Sequence, residues 1–62
     1  MVFEILSITI KVTLPTGEVK EARSTAERND IDWVAQSYAE VNEATKVEIF
    51  HNNELLSTYP KE

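Results

Sequence analysis

The chain predicts an α+β domain of order ββαββ, a four-stranded sheet with one helix packed on one face. Three observations carry this. Large apolar residues take every second position from Leu6 to Leu14, apolar residues recur at helical spacing from Ile31 onward, and a second alternating segment is broken by Asn52-Asn53. Alternation is the mark of a strand with one buried face, and a three-to-four spacing that of a helix with one buried stripe.

The first strand is the organising stretch. Leu6, Ile8, Ile10, Val12 and Leu14 face one way, with Ser7, Thr9, Lys11 and Thr13 between them. Pro15-Thr16-Gly17 follows, in which proline presets a turn dihedral and the only glycine can take the positive φ that closes a three-residue hairpin with a bulge. That loop sets Glu18 opposite Leu14, Lys11 opposite Glu21, Ile10 opposite Ala22 and Leu6 opposite Ala26, so charges and apolar groups each meet compatible partners. The second strand, about Glu18 to Thr25, then turns small residues inward and leaves room for a helix above it.

Ser24 to Asp30 reads as a polar connection. Asn29 is the expected N-cap, with Asp30 and Asp32 in the first turn, and Ser24 to Glu27 also matches a capping box that would start the helix earlier. The helix is expected from Asp30 to about Asn42, with Ile31, Val34, Ala35, Tyr38 and Val41 as its buried stripe. Asn52-Asn53 is a two-residue turn signal, because asparagine tolerates positive φ. The resulting second hairpin sets Phe50 opposite Leu55, Ile49 opposite Leu56 and Val47 opposite Thr58, and Pro60 ends the last strand. The expected sheet order is 2-1-4-3 with strands 1 and 4 parallel; an all-antiparallel 2-1-3-4 order is the alternative.

With these elements in place, the chain resembles the β-grasp arrangement of the bacterial immunoglobulin-binding domains of protein L and protein G. The I8-T9-I10-K11-V12-T13-L14 strand looks like the opening strand of those modules, and the element lengths agree. The resemblance lies in pattern and size, covers almost the whole chain and transfers no binding residue. In general character the small, acidic, cysteine-free chain is also similar to uncharacterised phage or prophage products.

Sixty-two residues make one small domain, residues 1–62, whose stability must come from one well-packed core. The absence of cysteine removes any disulfide or thiolate metal site and fits a reducing, cytoplasmic setting. No apolar run is long enough for a membrane span or a signal-peptide core, which points to a soluble, unprocessed protein. The net charge of −5 is unevenly placed: residues 1–26 balance, whereas residues 27–54 hold seven acids against Arg28 and Lys46. No basic stripe exists to reward a phosphate backbone, so direct nucleic-acid binding is disfavoured.

Catalysis has little to draw on. His51 stands beside the Asn52-Asn53 turn without a cysteine nucleophile, a glycine-rich phosphate loop or a nucleophile elbow, and reads as a surface histidine rather than a base. The acid pairs Asp30/Asp32 and Glu40/Glu43 lack the spacing of a calcium loop. No enzyme, cofactor or metal site is expected.

Two features exceed what the fold requires. At 100° per residue, Trp33 falls on the helix side opposite the Ile31/Tyr38 stripe, beside Gln36, Ser37 and Glu40, where it either anchors a partner protein or folds over the helix flank. The helix-free sheet face is expected to gather Phe3, Ile5, Phe50, Leu55 and Tyr59 into one apolar patch, unless a bulge near Ile5-Leu6 turns Phe3 inward. The expected function is a non-enzymatic protein-interaction module whose acidic half suits a basic partner protein, as an inhibitor or charge mimic. A self-associating assembly part, a homodimer through the sheet face, is the alternative.

Overall fold

The structure, a computed structural model, describes residues 4–60, so the expectation for Phe3 lies outside the described residues. In chain order the elements are β1 (Ile5–Thr13), β2 (Val19–Glu27), a single 3-10 turn (Arg28–Asp30), α1 (Ile31–Asn42), β3 (Lys46–His51) and β4 (Glu54–Tyr59). They form an α+β unit with one four-stranded sheet, ordered β2-β1-β3-β4 and antiparallel throughout. The element order follows the ββαββ expectation. The 2-1-4-3 order with parallel strands 1 and 4 is incorrect, and the 2-1-3-4 alternative is the one observed.

The reason lies in which strand best complements β1. Against β3, Ile10 meets Ile49 and Val12 meets Val47 on the inner face, while Lys11 meets Glu48 on the outer face. Both faces are satisfied at once, and Ile10, Ile49 and Val47 have no solvent exposure. β4 carries Ser57 and Thr58 where a central strand would need large apolar groups, so it belongs at an edge.

The first hairpin follows the sequence closely. Gly17 has φ 92°, its amide donates to the Leu14 carbonyl at 2.8 Å, and the Leu14 amide donates to the Glu18 carbonyl at 2.8 Å. Ile10 stands opposite Ala22, Lys11 opposite Glu21 and Leu6 opposite Ala26, as the three-residue loop requires. β2 runs on past Thr25 to Glu27, which takes up the segment read as a polar connection. Neither Asn29 nor the Ser24–Glu27 capping box caps the helix: a 3-10 turn enters it directly, and its first turn has no side-chain cap. At the same end Arg28 ties back to the start of β1, its amide donating to the Glu4 carbonyl at 3.1 Å and its guanidinium to Glu4 Oε1 at 2.7 Å. That guanidinium holds the exposed Glu4 carboxyl below the ordinary value.

The second hairpin contains the main correction. Asn52 and Asn53 both have positive φ, and Phe50 stands opposite Leu55, as expected. A bulge at Leu56 then shifts the register, so Ile49 faces Ser57 rather than Leu56, and Val47 faces Tyr59 rather than Thr58. Tyr59 therefore packs against the core instead of joining the outer face. The cost of turning Ser57 inward is met by its hydroxyl, which donates to Asp32 Oδ1 at 2.5 Å.

The core is formed by Leu6, Ile8, Ile10 and Val12 of β1, Ile31, Ala35 and Ala39 of α1, and Val47 and Ile49 of β3. The helix packs most extensively on β4 and β3 and least on β2. This tilt moves its buried stripe toward Ala39, and Val41, expected inside, is 82% exposed. The helix ends in a Schellman motif: Glu43 is left-handed (φ 52°), and the Ala44 amide donates to the Ala39 carbonyl at 2.9 Å.

Two stability predictions follow from this packing. Ile10→Ala should cost about 2–4 kcal/mol, because it opens a cavity at the centre of the inner face, whereas Thr9→Ala should cost less than about 1 kcal/mol. Denaturant midpoints compare them, and equal losses would contradict the face assignment. Glu43→Gly should stabilise the domain by about 1 kcal/mol, since it relieves a left-handed L-residue and removes an acid from the negative end of the helix. A lowered midpoint for that variant would contradict this account of the helix end.

Candidate interaction surfaces

The sequence directs two surfaces outward, and their geometry differs. On α1 the residues away from the sheet are Trp33, Gln36, Ser37, Glu40 and Val41, and Trp33 is 68% exposed. Trp33 does not fold over the helix flank. It stands between Asp30 at the helix entrance and Glu40 about two turns beyond, where Gln36 Nε2 donates to Glu40 Oε1 at 3.1 Å and steadies that carboxylate. From Asn29 to Thr45 the chain has four acids and no lysine or arginine. Asp32 points toward β4 and accepts from Ser57, so the acids flanking the indole on the outward side are Asp30, Glu40 and, at the helix end, Glu43.

Val41 adds an exposed apolar group two turns from Trp33 on the same side of the helix. Sequence reasoning missed it because it centred the stripe on Ile31 and Tyr38. Centring the stripe on Ala35 leaves Val41 outside, but only the helix tilt shows that Ala35 is the centre.

The second surface is the sheet face away from the helix. Phe50 and Leu55 stand opposite each other, Leu55 being 48% exposed and Phe50 half-buried. The Lys11 ammonium lies 5.2 Å from the centroid of the Phe50 ring and partly roofs it. Ile5 is 62% exposed on the same face, but it lies four residues along β1 from Thr9, the residue opposite Phe50. That separation is about 13 Å at the rise of an extended strand. Ser7 and Thr9 occupy the intervening outward positions, so Ile5 and the Phe50–Leu55 pair are separate apolar points rather than one patch. Val19, 55% exposed near the start of β2, is a further one that sequence reasoning passed over, although its odd-numbered parity sends it outward beside Thr13.

His51 has a mechanical place. Its Nδ1 lies 2.8 Å from the Ser7 carbonyl and its Nε2 lies 3.3 Å from Asn52 Nδ2. The carbonyl can only accept, so Nδ1 carries the proton and Nε2 is left to accept from the asparagine amide. The imidazole thereby extends the β1–β3 ladder beyond its last pair, Thr9 with Phe50, and holds the second turn against β1. Among the described residues no group of three or more histidine, cysteine, aspartate or glutamate side chains is placed to hold a metal ion, and no helix is long and apolar enough to cross a membrane.

Comparison with known protein families, with curated proteins and with solved structures finds no match to this chain. What it can do is therefore read from its surfaces alone.

The exposure of Trp33 has a direct spectroscopic consequence. As the only tryptophan, it should emit with a red-shifted maximum and be quenched readily by a neutral quencher such as acrylamide, because water reaches the indole. A blue-shifted, protected emission from the isolated domain would remove Trp33 as an exposed anchor.

Proposed function

We propose that the domain is a non-enzymatic protein-interaction module whose contact surface is the outward side of α1, with Trp33 as its anchor and Asp30, Glu40 and Glu43 as a flanking acidic field. The observation that carries this reading is the 68% exposure of Trp33 on a helix segment without a single base. A large indole held in water forgoes the burial that its apolar area would give, and such residues contribute most when a partner covers them. The acids select the partner's chemistry. They favour encounter with a basic protein surface and repel acidic ones, which fits an inhibitor or charge mimic that occupies a site used by a polyanion. The helix end supports the same reading: Glu43 occupies a left-handed position that glycine fills more easily, so an acid stands there at some expense to stability.

The role excludes chemistry by this domain and asks only that the helix be presented rigidly, which the core beneath Ile31, Ala35 and Ala39 provides. The intact chain, immobilised and exposed to extract from its source, should retain a basic protein that Trp33→Ala or Glu40→Lys fails to retain. That protein should elute steeply as salt is raised from low to physiological ionic strength and beyond. Capture that is indifferent to both substitutions, or that resists salt, would overturn the assignment of the helix face.

A further inference from the structure

The two edges of the sheet are not alike. β4 is six residues long, bulged at Leu56 and followed by Pro60, features that discourage another strand from pairing there. β2 is nine residues long, contains no glycine or proline, and pairs with β1 in unbroken register from Val19 to Glu27. The helix leans toward β4 and β3 and touches β2 least. In the β1–β2 ladder the Glu18 carbonyl accepts from Leu14 and the Arg28 amide donates to Glu4, so even-numbered residues of β2 are bonded to β1. The odd-numbered residues Val19, Glu21, Arg23 and Thr25 consequently direct their N–H and C=O groups to the open edge, where the Thr25 carbonyl has only the Ser24 hydroxyl at 3.5 Å.

We infer that this edge pairs with β2 of a second copy of the chain, antiparallel about a two-fold axis at Ala22, to give a continuous eight-stranded sheet. The register is chosen by charge. Across the outer face Glu48, Lys11 and Glu21 form a row of alternating sign that ends at the sheet edge with Glu21. Arg23 stands opposite Thr9, with no acid across from it in its own row. A two-fold axis at Ala22 places Arg23 of each copy opposite Glu21 of the other, so the row is continued twice, and it places Val19 opposite Thr25. All these pairs join odd-numbered residues, the ones whose backbone groups are available. On the inner face Ala22 meets its own copy without bulk, and Lys20 meets Ser24.

Neighbouring registers are worse. An axis at Glu21 or Arg23 sets like charges against each other, and one at Ser24 sets Glu21 against Glu27. An axis at Thr25 pairs Arg23 with Glu27 but overlaps only from Arg23 to Glu27, whereas the axis at Ala22 overlaps from Val19 to Thr25. The exposed Val19 gains a β-branched neighbour only in the longer overlap. The partner of this surface is thus a second copy, and the surface is independent of the outward side of α1.

Sedimentation equilibrium from micromolar to millimolar concentration should give twice the 7.1 kDa chain mass at the upper end. Arg23→Glu and Glu21→Arg should each return the chain to monomer mass, and the exchanged double variant should restore the dimer, since it rebuilds the same pairs with the signs reversed. Trp33→Ala should leave the mass unchanged. Amide exchange on the wild type is a second readout that needs no variant: protection at Val19, Glu21, Arg23 and Thr25 should rise with protein concentration, while Lys20, Ala22 and Ser24 are protected at every concentration. A strictly monomeric wild type at millimolar concentration would overturn the inference. So would a dimer indifferent to both single reversals, or odd-numbered amides whose exchange does not depend on concentration.

Discussion

The ladder between β1 and β3 is the constraint on which the rest of this structure depends. In it large apolar side chains pair on the inner face, Ile10 on Ile49 and Val12 on Val47, while Lys11 pairs with Glu48 outside. Once β3 is beside β1, the hairpin partner β2 has only the other flank of β1, and the chain must cross from β2 over β1 to reach β3. The helix makes that crossing. β4, joined to β3 by a two-residue turn, is left at the remaining edge.

The edge position explains the bulge. An added residue at Leu56 leaves Leu55 outside against Phe50 and Leu56 toward the core, as a regular strand would, and turns Tyr59 from the outer face to pack toward the core. The same shift turns a serine into the interior. Ser57 is tolerated because the first turn of α1 offers Asp32, whose carboxylate accepts the hydroxyl proton and ties helix to edge strand. One local irregularity thus sets the helix over β4 and β3.

That placement decides the surfaces. Because α1 leans away from β2, the first hairpin keeps a long open edge, and the buried stripe of the helix rotates enough to release Val41. The outward side of α1 then carries an indole and a valine in an acidic setting, while the sheet face carries scattered apolar points screened by Lys11, Ser7 and Thr9. Of the acids in residues 27–54, Asp30, Asp32, Glu40 and Glu43 gather on the helix and its two ends, while Glu27, Glu48 and Glu54 belong to β2, β3 and β4.

Local chemistry was enough to define the elements and the first hairpin. Gly17 closes a turn that only one register satisfies, Asn52 and Asn53 accept positive φ, and the alternation of β1 and the spacing of α1 are written residue by residue. Helical angle places Trp33 away from the buried stripe, but whether its indole folds over the helix flank was open in the sequence, and the structure leaves it 68% exposed. The neighbour of β1, the bulge at Leu56, the inward Ser57 and Tyr59, the outward Val41 and the separation of Ile5 from Phe50 were settled only by the tertiary structure. Each depends on contacts between segments distant in sequence. β3 and β4 have similar composition and length, so their competition for the flank of β1 is decided by the fit of whole faces, and a one-residue shift in an edge strand costs little locally yet exchanges every side chain between inside and outside.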